Sequence, residues 1–132
     1  LHKQIASNAW LVRTDLVSLW QLLAAHGIEL SAQFILYPNP YPKPAQMGRR
    51  WPAHPVFPLL LGLSPYLEVR SNWRPYVEEW ALVAEMLGAA SRPVELFRPS
   101  RVVTAFERKY HSDRQPLYRW RSRARFPQTH QR

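Results

Sequence analysis

Two asparagines occupy positions where α/β proteins commonly do chemistry. Asn39 lies in Pro38-Asn39-Pro40-Tyr41-Pro42-Lys43-Pro44, fed directly by the apolar run FILY at 34–37, and Asn72 follows YLEVR at 66–70 in the pair Ser71-Asn72. Each stands just past a strand-like segment, and ligands of open α/β sheets gather at the carboxyl ends of strands. Prolines at alternating positions forbid helix and ladder alike, so Asn39 is expected on a stiff extended loop. Further along, Thr104-Ala105-Phe106-Glu107-Arg108-Lys109 sets a carboxylate between an aromatic ring and two cations. Arg49-Arg50-Trp51 and the stretch 119–125 also mix cations with aromatics. That mixture suits phosphate and stacked bases.

These residues need elements to carry them. The apolar run NAWLVR at 8–13 reads as a strand. Thr14-Asp15 then offers an N-cap, and Leu16, Leu19, Trp20 and Leu23 fall at helical spacing before Gly27 closes the segment. The run 34–37 is continuous, as expected of a strand buried on both faces. A short helix is predicted over 55–63 and a third strand over 66–70. Pro75 opens a helix with Tyr76, Trp80, Val83 and Leu87 on one face and Gly88 at its end. A fourth strand is expected at 94–97. The stretch 117–126 alternates Arg119, Arg121, Arg123 and Arg125 with Trp120, Ser122 and Ala124, a strand with one solvated basic face. Most tryptophans are expected in the core. Strands alternating with helices argue a single α/β domain over 1–132 with a largely parallel sheet.

Composition narrows the partners. Lys and Arg outnumber Asp and Glu by 18 to 9, an excess that favours a polyanion through counterion release. With 0 Cys, disulfides, thiolate catalysis and Cys-ligated zinc are excluded together; this fits a reducing compartment and a cytoplasmic location. The histidines His2, His26, His54, His111 and His130 show no metal-ligand spacing, so no metal is expected. No apolar run is long enough to span a bilayer, and no membrane partner is expected. The start, Leu1-His2-Lys3-Gln4, is not a signal peptide and lacks an initiator Met, which suggests a chain that begins inside a longer protein.

With these motifs in place the sequence resembles a family. Residues 34–43 are similar to the strand and P-D-P-W-P-K loop of the tRNA (guanine-N7) methyltransferases, and Arg49-Arg50 follows at the expected distance. Ser71-Asn72 stands where that family has T-D, with Tyr76 beyond it, and Thr104 to Lys109 resembles its T-x-F-E-x-[KR] signature. Asp15 matches an acidic residue placed near the adenine of S-adenosylmethionine (SAM). The match is collinear over nearly the whole chain.

The resemblance implies a partial Rossmann-like class I methyltransferase sheet: strands 3 to 7 of a seven-stranded sheet ordered 3-2-1-4-5-7-6, with the N-terminal strands missing. The strand at 8–13 is then expected to be unpaired, displaced from 34–37 or paired abnormally. It further implies SAM as cofactor and tRNA as partner. Asn39 and Glu107 would be catalytic, and Asp15 and Asn39 would touch the cofactor. Lys43, Asn72, Thr104, Ala105, Phe106 and Glu107 would hold the guanosine, and Arg49 and Arg50 would meet phosphate. Guanine N7 carries an in-plane lone pair and needs no base, so such catalysis is positioning plus electrostatics. Two departures stand out: the four glycines, Gly27, Gly48, Gly62 and Gly88, form no glycine-rich loop, and two aspartates of the family are amides here. Two other readings stay open. One is a non-catalytic RNA-binding remnant of the family. The other is an amino-group methyltransferase, since Asn39-Pro40-Tyr41 resembles an N-P-P-Y loop. Asp15 also reads as a plain N-cap, and Asn72 as a turn residue.

Overall fold

The computed structural model describes residues 2–123; Ala124, Arg125 and Phe126 of the alternating C-terminal stretch lie outside the described residues. The chain opens with a hairpin in which β1 (His2–Ala6) pairs antiparallel with β2 (Ala9–Val12). This pair forms a sheet of its own, separate from the main one. The expected displacement of 8–13 from 34–37 is therefore observed, with the unforeseen β1 as its partner. Trp10 in this hairpin is 60 % exposed.

Asp15 then caps α1 (Leu16–Ala25), its Oδ2 accepting from the Ser18 N–H at 2.9 Å and from the Ser18 hydroxyl at 2.7 Å. The helix buries Trp20 and ends at Gly27, whose φ of 64° suits a residue without Cβ. β3 (Gln33–Leu36) runs parallel to β4 (Leu67–Ser71), with Phe34 opposite Glu68 and Ile35 opposite Val69. Between them lie the proline loop, 3-10 turns at Pro44–Arg49 and Trp51–Ala53, and α2 (Phe57–Gly62). Buried Gln33 fixes the start of β3, donating to the Leu60 carbonyl at 2.9 Å and to the Ser64 hydroxyl at 3.1 Å.

α3 (Arg74–Met86) begins with a proline in its first turn and buries Tyr76, Val77, Trp80, Ala81 and Ala84. The expected face is right at Tyr76 and Trp80. It then turns towards Ala81 and Ala84, leaving Leu87 at the exposed C-cap. Beyond α3 come β5 (Ala90–Ser91), β6 (Glu95–Phe97), α4 (Ala105–Ser112) and β7 (Leu117–Arg123). The main sheet runs β3-β4-β7-β5, and β6 pairs with the same edge of β7 as β5 does.

The sheet is mixed, and the expectation of a largely parallel one is corrected here. Only β3 and β4 are parallel, because the α2 segment carries the chain back to the same end. β7 leaves the short turn after α4 in the opposite sense and is antiparallel to β4, β5 and β6.

The two faces of this sheet differ. Leu67 and Val69 of β4 and Trp120 of β7 point into a core shared with Trp20, Phe57, Leu60, Leu61, Val77 and Trp80. Phe57 and Trp80 meet edge to face, their centroids 5.2 Å apart, a preferred aromatic geometry. The registers place Phe34, Glu68, Arg70, Arg119 and Arg121 on the opposite face. There Arg119 and Arg121 both pair with Glu95, at 2.9 and 2.8 Å. These arginines are thus tied into the sheet instead of being freely solvated.

Trp80 is fully buried whereas Trp10 projects from the hairpin. Trp80→Ala is expected to cost about 3–5 kcal/mol, a large share of a typical domain's stability. Trp10→Ala should stay within about 0.5 kcal/mol. Urea unfolding followed by circular dichroism measures both.

Candidate functional site

The loop after β3 is built under strain. Tyr37 has φ 54° and Tyr41 φ 43°, and each directly precedes a proline. A bulky residue in the left-handed region is disfavoured, and a following proline restricts it further. Such residues cost of order 1–3 kcal/mol each and cluster at functional sites.

A set of hydrogen bonds and one ring contact holds the loop in this shape. The Tyr37 N–H extends the ladder to the Arg70 carbonyl at 2.9 Å, and the Tyr37 hydroxyl donates to Glu107 Oε2. Asn39 Oδ1 accepts the Tyr41 N–H at 3.1 Å, an Asx turn. Arg50 donates from Nε to the Tyr41 carbonyl at 3.1 Å and from Nη1 to Glu79 of α3, also at 3.1 Å. Its guanidinium lies 5.1 Å from the centre of the Trp73 ring.

Two clefts flank this loop. The smaller, about 680 Å³, lies at the carboxyl ends of β3 and β4 beneath α4. Its walls are Asn39, Asn72, Trp73, Phe106 and Tyr110 together with the loop prolines. Phe106 and Tyr110 stack one helical turn apart at 6.3 Å, and Tyr37 leans on Tyr110 at 5.8 Å. Asn72 donates its amide N–H to Gln115 Oε1 at 3.0 Å, which leaves its oxygen as an acceptor. The larger cleft, about 850 Å³, lies on the other side of the loop against the open edge of β3. It is mainly apolar, with Leu16, Trp20, Phe34 and Trp51, and it also includes Arg49. Pro38 and Asn39 line both clefts. Neither has a carboxylate among its lining residues.

Glu107 sits inside the protein, fully buried. Thr104 caps α4 by accepting the Glu107 N–H at 3.0 Å, and the Glu107 side chain reaches back to the Val103 N–H at 3.1 Å. This is close to a capping box, a pattern that Thr104-x-x-Glu107 already carries. Arg70 Nη1 pairs with Glu107 at 3.0 Å, and Arg70 Nε pairs with Glu68 at 2.6 Å. The Tyr66 hydroxyl donates to Glu68. One guanidinium therefore bridges two tyrosine–glutamate pairs.

Burial pushes the Glu107 carboxyl up, but hydrogen bonds from Tyr37, the Val103 N–H and Arg70 outweigh it and leave the group below its ordinary value. Burial and the bonded carboxylates raise the Tyr37 and Tyr66 phenols above theirs.

The residues expected to act together are only partly assembled. Asn39, Asn72 and Phe106 converge on the smaller cleft. Glu107 is beside it but saturated, and Thr104 serves as its cap. Ala105 is exposed in the first turn of α4, and Lys43 is exposed ahead of the 3-10 turn, lining neither cleft. Arg49 is exposed, whereas Arg50 is only 7 % exposed and turned inward onto the protein's own loop. The Arg50 guanidinium is engaged by the Tyr41 carbonyl and Glu79. Asp15 caps α1 and is not among the cleft residues.

Sequence reasoning missed Tyr37, Trp73 and Tyr110. The i, i+4 spacing of Phe106 and Tyr110 was the available signal. Among the described residues no group of His, Asp or Glu could hold a metal ion, and no helix is long and apolar enough to cross a membrane.

A carboxylate held below its unfolded value stabilises the fold above that value and loses this contribution as pH falls through the folded one. The reference here is 4.5. Glu107→Gln should therefore flatten the decline in urea midpoint below that pH. Glu107→Ala should cost about 3–5 kcal/mol at neutral pH by leaving the Tyr37 hydroxyl, the Val103 N–H and one arm of Arg70 without their acceptor. No protein-family model matches this chain, and no curated protein matches it.

Proposed function

We propose that this chain is an RNA methyltransferase of the class I, SAM-dependent type, acting most readily on N7 of a guanine in tRNA. The observation that carries this reading is the place of Asn39, on a strained loop that forms a wall common to an aromatic cleft and an apolar one. An unstacked base suits the first, between the rings of Phe106, Tyr110 and Trp73. A methyl donor suits the second. The sheet order lends further support: β3, β4, β7 and then β5 with β6 follow the 4-5-7-6 half of the class I order, with an antiparallel β7. On this reading the unpaired edge of β3 is the position that the first strand of that order takes.

The larger cleft fits SAM in part. Its apolar wall suits the adenine, and Asp15 stands at the adjoining end of α1, next to cleft residue Leu16. Among the described residues no glycine-rich turn is present to take the ribose and carboxylate ends. When bound, SAM supplies the electrophilic methyl group. This chain's own residues orient the base. Asn39, its oxygen engaged by Tyr41, offers its NH₂ to guanine O6 beside N7, and Asn72 offers its oxygen to the N1–H. Stacking on the aromatic wall sets the ring plane. Methylation leaves a positive charge on the base, to which Asn39 presents only a donor and Asn72 only a neutral carbonyl, so turnover is expected to be slow. A second reading, an RNA binder without catalysis, is favoured by the absence of carboxylates from both clefts.

Transfer of labelled methyl from SAM to unmodified tRNA by the full gene product tests the proposal. Asn39→Ala should lower the rate by about tenfold or more, the equivalent of about 1.4 kcal/mol, and Asn39→Asp, which cannot donate to O6, should lower it as well. RNA binding with no transfer by any of the three proteins would establish the second reading.

A further inference from the structure

Helices α1, α3 and α4 end in the same hydrogen-bonded turn, and only α4 departs from glycine within it. In α1 the Ile28 N–H bonds the Leu23 carbonyl at 2.9 Å and the Gly27 N–H bonds Ala24 at 3.1 Å. In α3 the pairs are Ala89 to Ala84 and Gly88 to Glu85, both 2.9 Å. In α4 they are Gln115 to Tyr110 at 2.9 Å and Arg114 to His111 at 3.1 Å. This turn requires a left-handed residue, and glycine adopts that conformation at least cost. Gly27 has φ 64° and Gly88 φ 91°, but α4 places Arg114 there at φ 55°. A strained residue with a long cationic side chain is an expensive choice for a helix end alone.

That side chain borders a third cleft, about 570 Å³, together with Arg98, His111 and Gln115. Arg98 and Arg114 are exposed. Across residues 98–115 the cations are Arg98, Arg101, Arg108, Lys109 and Arg114, and the carboxylates are Glu107 and Asp113. Glu107 is buried against Arg70, and nearby Glu95 is taken by Arg119 and Arg121. Exposed Asp113 is the remaining offset, and of these charged groups only Arg98 and Arg114 line the cleft, which is therefore basic. The last turn of α4 separates it from the aromatic cleft, and Gln115 on the dividing wall bonds Asn72 on the far side.

We propose that this basic cleft holds the phosphate backbone of an RNA strand whose base enters the aromatic cleft, with Arg98 and Arg114 making the phosphate contacts. The proposal rests on the RNA-binding part of the functional reading. Cations are also favoured near helix C-termini by the helix dipole, so the experiment has to separate that benefit from RNA binding. Glycine at position 114 relieves the backbone strain while removing the charge.

Fluorescence anisotropy with unmodified tRNA over a salt series, on the complete chain and its variants, makes the test. Arg114→Gly should keep or raise the melting temperature, weaken binding several-fold, and reduce the slope of log affinity against log salt by about 0.7–0.9, as for one lost contact. Adding Arg98→Ala should about double the change in slope, and Lys3→Ala on the separate β1–β2 hairpin, outside this cleft, should leave it unchanged. A lower melting temperature with unaltered binding in Arg114→Gly would assign Arg114 to the helix dipole and overturn the proposal. Loss of binding in Phe106→Ala with none in the arginine variants would overturn this cleft while leaving the aromatic one standing. No binding by the unaltered chain at any salt would overturn the functional reading itself.

Discussion

The ionic contact of Arg70 with Glu68 and Glu107 is the constraint around which this protein is arranged. A single guanidinium on β4 joins a carboxylate of its own strand to one on α4, and each carboxylate also receives a tyrosine hydroxyl. Two buried carboxylates with no cation would face a desolvation cost of several kcal/mol each. With Arg70 in place, that liability becomes a fixed relation among β3, β4 and α4. Phe97 of β6 closes the group, its ring 5.1 Å from the Arg70 guanidinium and 5.0 Å from that of Arg119. The strained backbone at Tyr37 is tolerated because its side chain is one member of this set. Arg50 does the equivalent work at the far end of the loop, from Glu79 to the Tyr41 carbonyl.

Much of this architecture was legible because local chemistry and global packing agree. The runs at 34–37, 66–70 and 94–97 became β3, β4 and β6 with shifts of a residue or so, and the Pro75 helix formed around Tyr76 and Trp80. The short β5 carried no signal: two residues cannot display a period, and they pair only because β7 offers an edge. Strand direction was misjudged for a related reason. Alternating helices and strands favour parallel neighbours, but α4 with its tight turn delivers β7 in the reverse sense.

The site was legible in part. Asn39 and Asn72 converge because each follows one of two strands that are parallel neighbours, and that relation could be inferred from the pattern. The fates of Glu107 and Arg50 could not. Residue type gives charge, but whether the charge faces a cleft or the interior depends on partners 37 residues away for Arg70–Glu107 and 29 for Arg50–Glu79. The result reverses an intuition about motifs: the most conspicuous carboxylate orders the loop, while the uncharged amides border the cleft.

The bond between Tyr37 and Glu107 spans 70 positions of chain. Closing so long a loop carries an entropic cost before any contact repays it. The cleft floor therefore depends on a long-range contact that local structure alone cannot form. The same separation acts in reverse, since opening this latch uncouples the proline loop from α4 while Arg70 still holds Glu107 and Arg50 still holds the loop. A domain wired in this way is expected to open its cleft at a lower free energy than its frame. The cleft is thereby a region of the molecule able to breathe while the fold stays intact.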